Sequence, residues 1–357
     1  MAPTRLPVYH DDMIRIDGAQ HSGSGTIVRF AVAFAALTRE PLHLFNARAK
    51  RPKPGLRRQH LAAVRACAEL CAAHTEGLAV GAVEFTFTPG ASLRGGSYAW
   101  DIGTAGSATM LALGILPLAC FADAPLTARI TGGVFQDFAP SPCHFQHVLV
   151  PLLARMGARV ELCLVRPGYV PTGGGVIELR VQPVPRRLQP LQLTEQGDVR
   201  AVAGIALASH LADRQVSERM ARTCAARLAA GGLACTIERL DDRAASHPGA
   251  SLAVWADTST GSVLGADRAG APRRSSEAIG RFVADALLED LATGATTDRH
   301  AADQLALFAA LAAGTTTYTV PQVTDHVDSN LWLAERFGAA VRRDVRWIAI
   351  DGLGISR

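Results

Sequence analysis

The chain repeats one pattern: a predicted β-strand, a loop of glycine and other small residues, and a predicted helix. Residues 13–16 lead into the loop 17–25 and a helix over 26–37, and the loop 101–107 opens the apolar helix 108–118. Two strands and two helices recur with glycine turns at intervals of roughly 60 to 80 residues. The pattern predicts a mixed α/β (α+β) protein built from repeated βαβαββ-type units.

Composition and length predict a large domain with a smaller one inserted in it. The 357 residues are 48% hydrophobic and 19% charged, enough to bury a sizeable core. A segment with two prolines, residues 184–190, resembles a linker. We predict that residues 1–184 form the first three units of the catalytic domain. Residues 185–275 are predicted to form the inserted α/β domain, and residues 276–357 the fourth unit.

Several classes of protein are disfavoured by the sequence. The longest apolar run, residues 110–121, is too short to span a bilayer and predicts a buried helix. The polar first twelve residues contain no signal peptide. Seven cysteines occur without a Cys-x-x-Cys pair, which is typical of buried thiols in a reducing compartment. We therefore expect a cytoplasmic protein with no membrane partner.

Positive charge is concentrated in residues 48–60. Six of these thirteen residues are Lys or Arg and none is acidic, although the whole chain has a formal charge of only +4. Pro52, Pro54 and Gly55 indicate an ordered turn, and the apolar spacing that follows predicts a helix. A cationic loop at a helix N-terminus is suited to holding phosphate groups.

One histidine has a context that favours chemistry. His326 is predicted to lie between a strand end and a helix that begins near residue 331, with Asp325 and Asp328 beside it. Either carboxylate could orient the imidazole and leave its other nitrogen free as a nucleophile or base. Arg29, one turn into the first predicted helix, could point back to a ligand held by the loop 17–25.

Seven motifs, taken in order over nearly the whole chain, resemble those of RNA 3'-terminal phosphate cyclases. No single motif is specific to this family, but the order and near spacing of all seven along the chain are a specific signal. They are Asp17-Gly-Ala, Pro54-Gly-Leu-x-x-Gln-His within the basic loop, Gly103-Thr-Ala-Gly-Ser, Thr131-Gly-Gly, Pro171-Thr-Gly-Gly-Gly, Ala302-Asp-Gln-Leu and the loop that contains His326.

The resemblance implies an ATP-dependent ligase that uses Mg²⁺ or Mn²⁺ and acts on RNA with a 3'-phosphate. His326 would attack the α-phosphate of ATP, AMP would pass to the RNA 3'-phosphate, and the 2'-OH would close a 2',3'-cyclic phosphate. The implied nucleotide-binding residues are Asp303, Gln304, His300, Gly103 and Ser107. The implied phosphate-binding and RNA-binding residues are Arg29, Arg48, Arg51, Gln59 and His60.

The sequence departs from the family pattern at several positions. Ser22 stands where the family usually has a glutamate associated with the metal, which leaves Asp17 as a possible ligand. Leu113 occupies a position where relatives can have a glutamine that contacts the base, and His300 one where a tyrosine can occur. These departures leave the metal ligands and the nucleotide specificity open.

Three other interpretations are compatible with the sequence. The chain could be a weak or inactive cyclase-like protein that binds RNA, although the presence of His326 favours an enzyme. It could adenylylate another phosphorylated end. The repeated units also resemble enolpyruvyl transferases, which need no nucleotidylated histidine and which the basic loop fits less well. The oligomeric state stays open, with a dimer as one option.

Overall fold

The computed structural model describes residues 13–357, so the polar segment in which no signal peptide is predicted lies outside the described residues. The first unit is a four-stranded sheet with two helices. Its strands lie in the order first, second, fourth, third, and the first two are parallel. Its elements are β1 Ile14–Asp17, α1 Gly25–Thr38, β2 Leu42–Phe45, α2 Arg58–Cys71, β3 His74–Glu76 and β4 Phe85–Thr88.

The second unit repeats this order of strands. Its second helix is interrupted by a π-helical segment, Phe145–Leu149. The first helix is buried along almost its whole length, which confirms the helix predicted from the apolar run 110–121. The elements are β5 Gly96–Asp101, α3 Ala108–Cys120, β6 Leu126–Gly132, α4 Pro142–His144, α5 Val150–Arg155, β7 Arg159–Arg166 and β8 Gly175–Gln182.

The inserted unit has a sheet and a core of its own. Its strands lie in the order β10, β9, β11, β12, with the first two parallel. Two helices cover the sheet, and their apolar residues form a core separate from that of the large domain. The elements are β9 Val199–Ser209, a 3₁₀ turn Ala212–Arg214, α6 Val216–Ala230, β10 Thr236–Asp242, β11 Gly249–Thr258, β12 Val263–Ala269 and α7 Ser276–Ala292.

Helix α7 belongs to the inserted unit, so the boundary predicted at residue 275 is wrong. Ile279, Val283 and Leu287 are buried in the core of the inserted unit, where they pack with residues of α6 and the sheet. The helical spacing of these apolar residues was visible in the sequence. Which core they would join was not, because that depends on contacts between distant segments.

The third unit is split by the insertion. Residues 191–193 pair in parallel with the first strand that follows the insertion. The Leu193 amide donates to the Thr317 carbonyl, and the Thr317 amide donates to the Leu191 carbonyl, each at 2.8 Å. With this short segment the strand order matches that of the other two units. The elements after the insertion are α8 Ala301–Leu311, β13 Thr315–Thr319, α9 Asp325–Arg336, β14 Ala340–Asp344 and β15 Trp347–Asp351.

The repeated α/β architecture is confirmed, but the predicted division into units is wrong. Two complete units, not three, precede the insertion, and the insertion lies within the third unit. The first helices of the three units pack in sequence, α1 against α3 and α3 against α8. This packing brings the loops before the three helices toward one another. Within residues 13–357, no helix is both long and apolar enough to cross a membrane.

Candidate functional site

His326 lies in the first turn of α9, because Thr324 caps the helix by accepting a hydrogen bond from the Val327 amide. The helix therefore begins six residues before the predicted start. The His326 side chain is 40% exposed, and its Nδ1 lies 3.2 Å from Thr26 Oγ1 and 4.0 Å from Asp303 Oδ2. The first helix of the first unit and the first helix of the third unit thus meet at this imidazole.

The two acidic neighbours in sequence do not orient His326. Asp328 lies 2.7 Å from His21 Nδ1 and also pairs with Arg343. Asp325 acts on His326 only through its charge. Helical geometry is the reason, since residues one and two positions apart on a helix do not face each other. The groups near Nδ1 are Thr26 and Asp303 instead.

Arg29 is a buried cation behind His326. Its side chain is on the buried α1, and its Nη2 donates to Thr26 Oγ1 at 3.2 Å. The same hydroxyl contacts His326 Nδ1, so the threonine joins the guanidinium and the imidazole. Arg29 Nε has no hydrogen-bond partner among residues 13–357. Burial lowers the pKa of Arg29 to about 10, while Asp303 opposes this shift, so the group stays charged near neutral pH.

The electrostatic setting favours a neutral imidazole. Burial, with the charges of Arg29 and Arg51, lowers the pKa of His326 to about 4. Burial raises the pKa of Asp303 to about 7, although Arg29 acts in the opposite direction. At neutral pH the imidazole therefore keeps a free lone pair, and the nearby carboxyl group is poised between its two forms.

A cavity of about 330 Å³ opens beside His326, between the large domain and the inserted unit. Asp303, Gln304 and His300, three residues predicted to bind the nucleotide, contribute to its wall. The opposite wall comes from the inserted unit, where the guanidinium carbon of Arg268 lies 4.4 Å from the centre of the Phe282 ring. A planar apolar group with a few convergent polar side chains is suited to hold a nucleobase.

Two other predicted nucleotide-binding residues lie elsewhere. Ser107 is fully buried and caps α3 by accepting from the Met110 amide, while Gly103 is exposed on a separate surface. Leu113 is also buried in the core, and Met110, one turn earlier on α3, faces the cavity. The loop 103–107 is therefore a support for the site and not part of this cavity.

The predicted basic loop forms a second cavity of about 510 Å³ with Arg48, Gln59 and His60 in its lining. Arg48 donates to the carbonyls of Lys53 and Gly55, at 2.9 and 2.7 Å, and so holds the loop in shape. Arg51 is exposed and acts on His326 through its charge. Since its side chain makes no hydrogen bond or ion pair in the part of the chain that the structure describes, its guanidinium donors are available to a ligand.

Gln59 and His60 connect this cavity to the helix N-termini. Gln59 Oε1 accepts a hydrogen bond from the Ser107 amide at 3.0 Å, which ties α2 to the loop before α3. His60 Nδ1 accepts from the Arg57 amide at 3.1 Å, so the proton of the neutral ring is on Nε2. Burial, followed by the charges of nearby arginines, lowers the pKa of His60 to about 2. His60 is therefore a neutral donor at physiological pH.

A buried ion pair lies behind the cavity, between His144 of the second unit and Asp298 before α8. The His144 Nε2 atom is 3.0 Å from Asp298 Oδ2, and both side chains are inaccessible to solvent. The same carboxylate accepts from the amides of Gly265, His300 and Ala301. It therefore joins the second unit, the inserted unit and the N-terminus of α8, the helix that carries Asp303 and Gln304.

The side chains of residues 13–357 do not form a protein site for a divalent metal. Both oxygens of Asp17 accept hydrogen bonds, from the Ala19 amide, Asn46 and Gln20. Ser22 Oγ bonds with the hydroxyls of Ser24 and Ser329. Residues 13–357 contain no cluster of three His, Cys, Asp or Glu side chains with the geometry of a metal site.

Some residues of the site carried no signal in the sequence analysis. Thr26 contacts His326 across 300 positions, and Arg268 and Phe282 come from a unit in which no functional group was predicted. Asp137, also in the cavity wall, binds Arg274 of the inserted unit at 2.8 Å. These contacts depend on the packing of units, which local patterns do not encode.

Comparison with known proteins identifies the family of this chain. A sequence model of the family described as RNA 3'-terminal phosphate cyclase matches residues 20–342. The chain is 38% identical over 334 residues to the RNA 3'-terminal phosphate cyclase of Methanopyrus kandleri, covering 91% of this chain and 93% of the relative. Its counterpart in Hyperthermus butylicus is 41% identical over 325 residues, covering 89% of this chain and 90% of the relative.

A bacterial relative covers still more of the chain, since the RNA 3'-terminal phosphate cyclase of Methylococcus capsulatus is 38% identical over 351 residues, 97% of this chain and 96% of the relative. The crystal structure of the enolpyruvyl transferase NikO from Streptomyces tendae matches 95% of this chain and 48% of its own chain, with a TM-score of 0.41 and 14% identity. This likeness is too weak to bear on function. The motifs, the extent of the matches and their identity together establish that this chain belongs to the RNA 3'-terminal phosphate cyclase family.

Proposed function

We propose that this protein is an ATP-dependent RNA 3'-terminal phosphate cyclase that forms a covalent AMP adduct on His326. The observation that carries the proposal is the position of a neutral, half-exposed imidazole at the mouth of the 330 Å³ cavity, with Arg29 joined to it through Thr26. A nucleophile beside a buried cation is the arrangement that nucleotidyl transfer needs, because negative charge grows on the phosphorus oxygens in the transition state.

In the first step, His326 Nε2 attacks the α-phosphorus of ATP. A nitrogen–phosphorus bond forms, the bond from the α-phosphorus to the bridging oxygen breaks, and pyrophosphate leaves. We infer that Nδ1 carries the proton in the reactive tautomer, with Thr26 Oγ1 at 3.2 Å as its acceptor. Asp303, 4.0 Å away, stabilises the positive charge that the ring acquires when it is adenylylated.

In the second step, an oxygen of the RNA 3'-phosphate attacks the phosphorus of the adduct, and the histidine is the leaving group. In the third, the neighbouring 2'-oxygen attacks the 3'-phosphorus, AMP leaves, and a 2',3'-cyclic phosphate remains. The last step is intramolecular, so positioning of the terminal ribose supplies much of the acceleration. The 2'-OH is the reacting group, which restricts the reaction to RNA.

We infer that the phosphates occupy the basic side of the site. Arg29 is buried and oriented by Thr26, and Arg51 is exposed, so together they can contact phosphates at two depths. Arg48, Gln59 and His60 border the adjoining cavity, where the RNA end would approach. In this chain Arg48 and Gln59 also shape the cavity, since Arg48 Nη1 and Gln59 Oε1 already have protein partners.

The nucleotide base is proposed to lie between α8 and the inserted unit, with His300, Gln304 and Met110 around it. Because Asp17 and Ser22 do not offer a metal site, we propose that Mg²⁺ or Mn²⁺ enters bound to the ATP phosphates. The seven cysteines are all free, which supports a cytoplasmic location.

A second candidate function is RNA binding without catalysis. The observation that favours it is Ser22, which stands where the family usually has an acidic residue. A protein of this kind would bind 3'-phosphorylated RNA and form no adduct with AMP. The two candidates therefore make opposite predictions for incubation with ATP alone.

The test is incubation of the protein with ATP labelled at the α-phosphate, with Mg²⁺ and with Mn²⁺ in separate reactions. A phosphoramidate predicts protein-bound label that is lost in acid and retained in alkali. His326→Ala should abolish the label. The control variant His74→Ala, which changes an exposed histidine of β3, should retain the label. Label that persists in His326→Ala, or wild-type protein that never labels, would contradict the proposal.

A further inference from the structure

The cavity next to the basic loop does not end at that loop. A further cavity of about 590 Å³ adjoins it, and the two share Arg58 and Val80 in their linings. The second of these cavities continues over the exposed side of α2 toward β5, where Trp100 lies. A ligand held at the basic loop can therefore extend past Arg58 and Val80 onto this surface.

Two arginines lie along the same side of α2. Arg58 and Arg65 are seven residues apart, two helical turns or about 10 Å along the axis, so they share one face. Both are exposed. Among residues 13–357, neither forms a hydrogen bond or an ion pair through its side chain, so both guanidinium groups are available to a ligand, with Asp101 as the carboxylate in the same cavity lining.

An aromatic side chain lies beside them. The Trp100 ring is stacked on Tyr98, with centroids 5.1 Å apart and planes 13° apart, and its Nε1–H donates to Glu69 Oε2 at 2.8 Å. The ring is partly exposed and lines the same cavity as Arg58 and Arg65. Tyr98 and Glu69 therefore fix the orientation of an aromatic ring next to two unpaired cations.

We propose that this surface, defined by Arg58, Arg65, Val80 and Trp100 and called here the α2 face, binds the RNA nucleotides that precede the 3'-phosphate. Trp100 would stack on an unpaired base and the two arginines would contact backbone phosphates. The inference rests on the proposed function, because the RNA end must lie at the basic loop for the chain to continue here. An aromatic ring between cations favours single-stranded RNA, since paired bases do not expose their faces.

The proposal predicts that affinity depends on the length of the RNA. We would measure fluorescence anisotropy of labelled single-stranded RNAs of 3 and 12 nucleotides, each with a 3'-phosphate. Arg65→Gln and Trp100→Leu should weaken binding of the 12-mer about 5- to 10-fold and leave the 3-mer nearly unchanged. Arg65→Gln should also reduce the salt dependence of 12-mer binding by about one phosphate contact.

The matched control is Arg159→Gln, which removes the same charge from an exposed residue of a separate cavity. Its affinity for both RNAs should equal that of the wild type. Equal binding of the two RNA lengths by wild-type protein, or full 12-mer affinity in Arg65→Gln and Trp100→Leu, would overturn the proposal. So would an equal loss for both lengths.

Adduct formation from ATP alone separates this inference from the proposed function. The α2 face takes no part in that step, so Arg65→Gln and Trp100→Leu should label with AMP as the wild type does. Loss of the label in both variants would contradict a role restricted to RNA. Normal labelling with no dependence on RNA length would refute the α2 face and leave the catalytic proposal intact.

Discussion

The His144 imidazole and the Asp298 carboxylate form a solvent-inaccessible ion pair, with 3.0 Å between Nε2 and Oδ2, where the second unit, the inserted unit and α8 meet. Burial disfavours the charged imidazole, but the attraction and hydrogen bond of Asp298 outweigh it and raise the pKa of His144 to about 9. The pKa of Asp298 is lowered below its usual 3.8, because His144 and the amide donors outweigh its burial.

The pair predicts a loss of stability at alkaline pH. The folded-state pKa of His144 is above its usual 6.5, so this contribution is complete below pH 6.5 and is lost as the pH rises through about 9. The Asp298 contribution is present above pH 3.8. We expect the melting temperature of the wild type to fall between pH 6.5 and 9.5. In the double variant His144→Gln, Asp298→Asn the melting temperature should fall less steeply over the same range.

Breaking one side of the same pair should be costly. His144→Gln alone leaves Asp298 buried without its cation, which predicts a loss of about 3 kcal/mol or more in the free energy of unfolding at pH 6.5. Urea unfolding measures it. His74→Gln is the control, because His74 and its partner Glu76 are both exposed and their pairing contributes little. A single variant as stable as the wild type would show that the pair does not hold α8.

Asp303→Asn should raise stability and lower activity. The folded-state pKa of Asp303, about 7, is above its usual 3.8, so ionising it disfavours the folded state progressively from pH 3.8 to 7. An amide avoids that cost, and we expect a gain of about 1 to 2 kcal/mol at pH 8 that falls to less than half of this value at pH 5. Adduct formation should fall at both pH values. A gain that did not depend on pH would contradict this explanation.

The low pKa of His326 predicts that its imidazole stays reactive in weak acid. Without ATP, modification of His326 by diethyl pyrocarbonate, followed by peptide mass spectrometry, should proceed at a nearly constant rate from pH 7.5 to about 5 after correction for the reagent's decay. Arg29→Met removes the nearest buried cation, so the pKa should rise and the loss of reactivity should move upward by about one pH unit. An unchanged profile would mean that Arg29 does not act on the imidazole.

Two glycines near Arg29 predict opposite results. A Cβ at Gly25 would lie 2.1 Å from His60 Nε2 and would displace this buried ring, so Gly25→Ala should cost about 2 to 3 kcal/mol. A Cβ at Gly114 would have its nearest neighbour at 3.8 Å, and Gly114→Ala should stabilise α3 by about 0.5 to 1 kcal/mol. Urea unfolding of both variants measures these changes in the free energy of unfolding. Equal changes in the two variants would contradict the close packing of Gly25 against His60.

The α/β class and the repeats were predictable because they depend on local periodicity. Residues 108–118, for example, are apolar at every face and end near a turn, so a buried helix is the main outcome open to them. The split third unit was not predictable in the same way. Its first strand consists of residues 191–193 only, and three residues carry too little pattern to be recognised as a strand.

Within the candidate site, sequence reasoning selected His326, Asp303 and Arg29, which the structure brings together around Thr26. It missed Thr26 itself, because a threonine that contacts a histidine 300 positions away has no local signature. The expected role of Asp325 and Asp328 failed for a geometric reason, since the helix begins at residue 325 and Asp328 pairs with His21 and Arg343 instead of the imidazole. Motifs thus located the chemistry, while packing decided the partners.

The interruption of the third unit affects the order in which the protein can assemble. The strand at 191–193 and its partner β13 are separated by the whole inserted unit, and a disordered segment of that length makes their encounter entropically unfavourable. An inserted unit that has already folded brings its two ends into proximity and removes much of this penalty. During synthesis, α9 emerges after the other helices of residues 13–357. The segment that carries His326 therefore completes the third unit only after the inserted unit has been synthesised.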